Sequence, residues 1–235
     1  MSGKLASSVI GRIRSGIVVS CQAADHSALN RPCVISAMAL AAQENGAMGI
    51  RVNGSANIRA VGRSVQIPVI GIEKRHITGS SIYITPAKDS VCRVCRAGAD
   101  IVALDFTSRK RPRGESLLEI VKIAKKRFDA VIMADIASLE EGIMAEDLGA
   151  DLVDTTLHGY TYATRTSQGP AFALVRDLVR RVNLPVVLEG RVQSSDDVRK
   201  AFDLGAHSVV VGTAITGIEQ LVRRFVEAAP TIRMR

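Results

Sequence analysis

Eight short runs dominated by valine and isoleucine punctuate the chain, separated by longer stretches whose apolar residues recur at helical spacing. They fall at Ile17–Cys21, Met48–Val52, Pro68–Ile72, Asp100–Leu104, Ala130–Ala134, Asp151–Thr155, Pro185–Leu188 and Ser208–Gly212. Val209-Val210-Val211 and Pro185-Val186-Val187-Leu188 are apolar at successive positions, the pattern of a strand covered on both faces. Strands alternating with helices imply a parallel sheet with crossover helices, and eight of them close into a barrel with no free edge. Gly46-Ala47, Gly98-Ala99, Gly149-Ala150 and Gly205-Ala206 each stand just ahead of a run, where glycine can cap the preceding helix in the left-handed conformation. Similarity between segments does not extend beyond this punctuation, which favours a barrel over a solenoid. The expected fold is therefore α/β: a single (β/α)8 TIM barrel with a short N-terminal helix.

Length and composition fit that expectation. The chain has 235 residues, 47% of them hydrophobic, enough for a sizeable core, and a barrel of this type occupies about 250 residues. No linker rich in Pro, Ser or Gly divides it, so one domain over residues 1–235 is expected. Met1–Gly16 carries Lys4, Arg12 and Arg14 but lacks the apolar core of a secretory signal, and it reads as a helix leading into the first strand. The most apolar helical stretch, Val34–Ala42, is well short of the roughly 20 residues that cross a bilayer. A cytoplasmic protein with no membrane partner is expected. Cys92 and Cys95 form one Cys-x-x-Cys, Cys21 and Cys33 supply no second pair, and no histidine completes a metal-ligand spacing, so free thiols and no metal are expected.

The formal net charge of +8 suits either nucleic acid or an anionic small molecule. With 3% aromatic residues and no Trp the chain lacks platforms for stacking bases, and Pro112 interrupts its densest basic run, Arg109–Arg113. The expected partner is a small anion and not a nucleic acid.

Gln22, Arg51, Lys74, Asp105, Asp135 and Glu189 each lie at or just past the C-terminal end of a different run, where barrel enzymes carry their chemistry. A lysine whose pKa is pulled down by desolvation or a nearby cation can act as a general base; Arg75 and Arg51 are the candidate cations for Lys74, and a snorkelling surface lysine is the alternative. Glu189 closes an apolar run, where a carboxylate needs a partner: Lys74 across the mouth, or Arg191 in a structural ion pair. Arg51 and Asp135 can bind sugar hydroxyls or brace the barrel rim as a charge network. Gly190, Gly212 and Thr213 follow the seventh and eighth runs, the usual place of a barrel phosphate site built from backbone N–H groups, although glycines there also serve ordinary turns. Gly-x-Ser-x-Gly and Gly-x-Gly-x-x-Gly are absent, against an α/β-hydrolase elbow and a dinucleotide fingerprint.

Several motifs together resemble one family. Ser20-Cys-Gln-Ala23, Gly49-Ile-Arg-Val-Asn53, Pro68-Val-Ile-Gly-Ile-Glu-Lys-Arg75, Tyr83-Ile-Thr-Pro86, Gly98-Ala-Asp-Ile-Val-Ala-Leu-Asp105, Ala134-Asp-Ile-Ala-Ser-Leu-Glu-Glu-Gly142, Thr155-Thr-Leu-His-Gly-Tyr-Thr161, Glu189-Gly-Arg191 and Val209-Val-Val-Gly-Thr-Ala-Ile-Thr216 follow in the order seen in N-acetylmannosamine-6-phosphate 2-epimerases. The resemblance runs from about Gly16 to Phe225. It implies Lys74 as the catalytic lysine and Glu189 as its partner carboxylate, with Gln22, Arg51 and Asp135 at substrate-contacting positions. It also implies a phosphorylated amino sugar as substrate, no cofactor, and a place in the catabolism of sialic acid and N-acetylmannosamine. Two residues depart from the pattern: Glu73 stands where the family usually has an apolar residue, and Gly217 where it often has an arginine after Ala-Ile-Thr. Such an arginine helps hold an anionic substrate, and Arg191, Arg223 and Arg224 are the candidates to replace it.

The chemistry implied is removal of the proton at C2 of the open-chain sugar by Lys74 and return of a proton to the opposite face, with Glu189 completing the transfer. The same scaffold also hosts phosphosugar isomerases, lyases and synthases, and a sugar-phosphate-binding regulator is the non-enzymatic alternative. Assembly stays open, a homodimer being one option.

Overall fold

All eight runs are strands in the computed structural model, which describes residues 2–230. Met1 and residues 231–235, counted above within the domain, lie outside the described residues. The elements follow in the order α1 (Ser2–Arg12), β1 (Ile17–Cys21), α2 (Pro32–Glu44), β2 (Gly49–Asn53), α3 (Ser55–Ser64), β3 (Val69–Ile72), α4 (Lys88–Arg96), β4 (Ile101–Asp105) and α5 (Leu117–Phe128). Then come β5 (Val131–Asp135), α6 (Leu139–Asp147), β6 (Leu152–Asp154), α7 (Phe172–Arg181), β7 (Val186–Glu189), α8 (Ser195–Asp203), β8 (Ser208–Val211), α9 (Thr213–Thr216) and α10 (Ile218–Ala228). The strands are parallel and form a closed barrel in sequence order, β8 pairing with β1. This is a (β/α)8 TIM barrel.

Strand bounds differ from the apolar runs by about one residue, for two reasons. Pro68 and Pro185 have no N–H to give to the ladder, so β3 and β7 begin one residue later. At the other end the backbones of Asp105, Asp135 and Glu189 still pair with a neighbour, opposite Asp135, Asp154 and Val210, so the carboxylates belong to the strands themselves. All four Gly-Ala glycines have positive φ, between 84° and 92°.

Two apolar layers result. Between barrel and helices lie residues such as Ile50, Val52, Leu104, Ile132 and Leu188; inside the barrel lie Val18, Ile70, Ile101, Met133, Leu152, Val187 and Val210. Val9 and Ile10 of α1, with Ile13 just after it, pack against that inner set, so α1 closes the end of the barrel where the strands begin. Ile13 is fully buried, a contribution of about 1.5–3 kcal/mol. With one end filled by apolar side chains, the polar residues at the C-terminal ends of the strands have a solid floor. Helix α10 contrasts with the others: Ile218, Val222, Phe225 and Val226 share one face and are all at least half exposed.

Candidate active site

Arg51 on β2 reaches across the barrel beneath the mouth and gathers three carboxyl groups. Its Nη2 donates to Asp135 Oδ2 at 2.6 Å, and its Nη1 donates to Asp135 Oδ1 at 3.2 Å and Asp154 Oδ2 at 2.9 Å. Glu189 Oε2 lies 3.2 Å from Nη1 as an ion pair. Arg51, Asp135 and Asp154 are buried, whereas Glu189 keeps 15% of its side chain accessible. Ladder register places Asp135 beside Asp154 at the ends of β5 and β6, with Asp105 next in the row on β4. Asp105 is bound separately, by the N–H and hydroxyl of Thr107 and by Arg109 at 2.6 Å. Burial alone pulls Arg51 down, yet Asp135, Glu189 and Asp154 outweigh it and hold the guanidinium above its ordinary value. Burial raises both Asp135 and Asp154, and Arg51 opposes the rise.

Lys74 stands two residues past β3, its N–H donating to Asn53 Oδ1 at 2.7 Å and its backbone bridged to Ile84. The side chain opens to solvent at the mouth but is ringed by protein on its other sides. That partial loss of hydration, then the charge of Arg51, lower its pKa, against the opposing pull of Glu189, Asp135 and Asp25. Of the two candidate cations only Arg51 acts: Arg75 is turned away onto Asp89, with bonds of 2.9 and 3.0 Å. Lys74 and Glu189 line one cavity of about 560 Å³ at the C-terminal end of the barrel, a volume within the range of small-ligand sites.

Gln22, Arg51, Gly190, Arg191, Gly212 and Thr213 line the same cavity. Gln22 donates to Ser20 Oγ at 2.7 Å, leaving its own carbonyl oxygen buried without a partner. Gly190 has φ of +106°, a conformation that side chains strain. Among the described residues, the N–H groups of Gly190, Arg191, Gly212 and Thr213 meet no protein acceptor. Asp135 does not line the cavity; it lies buried against Arg51. Glu189 pairs with Arg51, and the Arg191 guanidinium instead donates to the carbonyls of Ser167 and Gly159 and covers the Tyr160 ring at 4.8 Å. Arg191 thereby pins the loop after β6.

A family model described as NanE, "Putative N-acetylmannosamine-6-phosphate epimerase", matches residues 35–231. The chain belongs to the NanE family. A relative in Caldanaerobacter subterraneus, named "Putative N-acetylmannosamine-6-phosphate 2-epimerase", is 44% identical over 219 residues, covering 93% of this chain and 92% of that protein. One of the same name in Synechococcus elongatus is 45% identical over 219 residues, 92% and 94% of the two chains. The solved N-acetylmannosamine-6-phosphate 2-epimerase of Clostridium perfringens is 40% identical with a TM-score of 0.90, covering 94% of this chain and 96% of that one.

Within this NanE-family chain, both departures from the motif pattern acquire a setting. Glu73 accepts two 2.7 Å bonds from Arg93, which also holds Asp89, so the extra charge sits in a network with Arg75. Gly217 lines the cavity at the junction of α9 and α10. Of the three replacement arginines, Arg191 lines the cavity, and Arg223 and Arg224 on α10 do not. Sequence reasoning passed over Asp154, Asn53 and Tyr83. Asp154 ends β6 in Leu152-Val-Asp154, and the strand-end rule that singled out Asp135 and Glu189 applies to it equally.

Proposed function

We propose that this protein interconverts N-acetylmannosamine 6-phosphate and N-acetylglucosamine 6-phosphate by deprotonation and reprotonation at C2, in amino-sugar catabolism. The observation that carries this reading is that Lys74 and Glu189, contributed by opposite parts of the sequence, line one cavity in a chain of the NanE family. In the open-chain sugar the C2 hydrogen is acidic because the resulting carbanion delocalises onto the C1 oxygen. A lysine with a lowered pKa has the free electron pair to take that proton, and Glu189 assists its return on the opposite face. Gly190, Gly212 and Thr213 hold the phosphate through unpaired N–H groups, so that remote binding energy positions C2. Gln22 and Arg191 face the sugar, and Asp135 acts through Arg51.

The enzyme works without a redox cofactor, since the carbon skeleton undergoes no net oxidation. It is a cytoplasmic protein that pairs as a homodimer; the exposed apolar stripe Ile218, Val222, Phe225 and Val226 supports the pairing, because stripes of this kind mark association surfaces. Incubation with N-acetylmannosamine 6-phosphate in deuterated water, followed by NMR, tests the reaction. Inversion at C2 with deuterium incorporation, lost in Lys74→Met, is expected. Cleavage of the sugar, aldose-to-ketose conversion, or binding with no exchange at C2 would refute it.

A further inference from the structure

At Nη1 of Arg51 the hydrogens and the acceptors do not balance. Nη1 carries two hydrogens and faces Asp135 Oδ1, Asp154 Oδ2 and Glu189 Oε2, with Met133 Sδ also 3.4 Å away. Nη2 gives one of its two hydrogens to Asp135 at 2.6 Å and Nε is buried without a partner, and neither nitrogen bonds Asp154 or Glu189. Two carboxyl oxygens are left over: Asp154 Oδ1 and Glu189 Oε2 are both buried with no donor. The two carboxyl groups converge on the same nitrogen, Asp154 Oδ2 at 2.9 Å and Glu189 Oε2 at 3.2 Å from Arg51 Nη1. Lone pairs facing each other in a buried site are strongly unfavourable, and a single proton between them removes the conflict.

We propose that Asp154 and Glu189 share one proton at neutral pH, carried on Asp154 Oδ1 and donated to Glu189 Oε2, which makes Asp154 the positioning residue for Glu189. The proton belongs on Asp154 and not on Asp135, because Asp135 has both oxygens on Arg51 whereas Asp154 has one. It belongs on Asp154 and not on Glu189, because Asp154 is the fully buried member of the pair. Every charged neighbour is consistent with this. Arg51 from β2 and Asp135 from β5 face Asp154 along with Glu189 from β7, Lys74 lies beyond Arg51 at the mouth, and Asp105 is neutralised by Arg109. With one oxygen tied to Asp154, Glu189 is held in a single orientation toward the cavity. The proton itself does not depend on the proposed reaction; only the consequence of positioning Glu189 rests on that reading.

Infrared difference spectroscopy of substrate-free protein tests the proton. At neutral pH, well above the ordinary aspartate value of about 3.9, wild type minus Asp154→Asn shows the carbonyl stretch of a neutral carboxylic acid. Absence of that band overturns the proposal. Unfolding equilibria give a second reading. A carboxyl whose folded value is raised keeps its stability at low pH and loses it as pH rises, so wild type weakens against Asp154→Asn by about tenfold in the unfolding constant per pH unit above about pH 4. Parallel curves overturn it. For positioning, the Asn amide can still donate to Glu189 and accept from Arg51, so Asp154→Asn keeps its kcat within a few-fold. Asp154→Leu loses about 10- to 100-fold, the scale of one hydrogen bond to a charged group. Equal loss in both variants overturns the positioning role. If the acid band is present but wild type performs no C2 exchange, the reaction has failed and the proton has not.

Discussion

Replacing Arg51 with Met keeps much of the side-chain volume and removes the cation around which Asp135, Asp154 and Glu189 are arranged. With one proton on Asp154, Asp135 and Glu189 both lose their cation in the variant, Asp135 fully buried, and Lys74 is left as the nearest cation. Breaking a buried pair while leaving its partner charged is worth about 3–5 kcal/mol. For a domain of this size each kcal/mol moves the thermal midpoint by about 2–4 °C, so a fall of about 6–20 °C is expected. The deficit has a pH signature. Burial already raises Asp135 and Arg51 opposes the rise, so in the variant Asp135 rises further. The folded variant then binds a proton that the unfolded chain releases, and its stability falls as pH increases. Because Asp135 already stands at about 7 in the wild type, the two lose stability in parallel below that value, and the gap widens from about pH 7 to about pH 9. Circular dichroism melts across that range measure it. A gap under about 1 kcal/mol at neutral pH, or one that narrows as pH rises, refutes the reasoning.

Lys74, lowered from the ordinary lysine value of about 10.4, gives kcat/KM an acid limb that rises with pH and levels off below that value; Lys74→Met removes about 10²–10⁴-fold of the activity with the fold intact, and a pH-independent rate would deny Lys74 the role of base. Gly217 has an unexceptional φ of −81°, but a Cβ there would stand 2.7 Å from the carbonyl oxygen and Cγ2 of Thr213. Gly217→Ala therefore destabilises by about 1–3 kcal/mol in urea melts and raises KM by shifting the α9–α10 junction that lines the cavity; a variant matching wild type in both would show that the junction yields freely.

The barrel was legible because a strand covered on both faces must be apolar at nearly every position, and the punctuating glycines separated helix from strand without any tertiary knowledge. That Lys74, Glu189, Gln22 and Arg51 would line one cavity was legible because a polar residue ending an apolar run has few structural reasons to be there. What the sequence did not disclose depends on where long side chains turn. Arg75 adjoins Lys74 in the chain yet pairs with Asp89, and Arg191 follows Glu189 by two residues yet holds a distant loop, because each guanidinium goes to acceptors that only the folded loops bring near. Asp154 was hidden among the acidic residues of its run, with Asp151 three positions earlier. Helix α10 carries the same amphipathic spacing as its neighbours, and spacing alone cannot tell a stripe packed on the barrel from one left in the open.

Lys74 and its surroundings make conflicting demands that the buried charges reconcile. A base needs its amine unprotonated, yet Glu189 and Asp135 both raise the lysine, and Arg51 together with loss of hydration opposes them. Were Asp154 ionised, Arg51 would face three negative charges, and the surplus of two would favour an ammonium at Lys74 by simple Coulomb attraction. One proton on Asp154 halves that surplus. The same proton that orients Glu189 thus also leaves Arg51 free to depress Lys74. The row of strand-end carboxylates, which looks excessive for a site proposed to bind an anion, is in this arrangement what balances the proposed base.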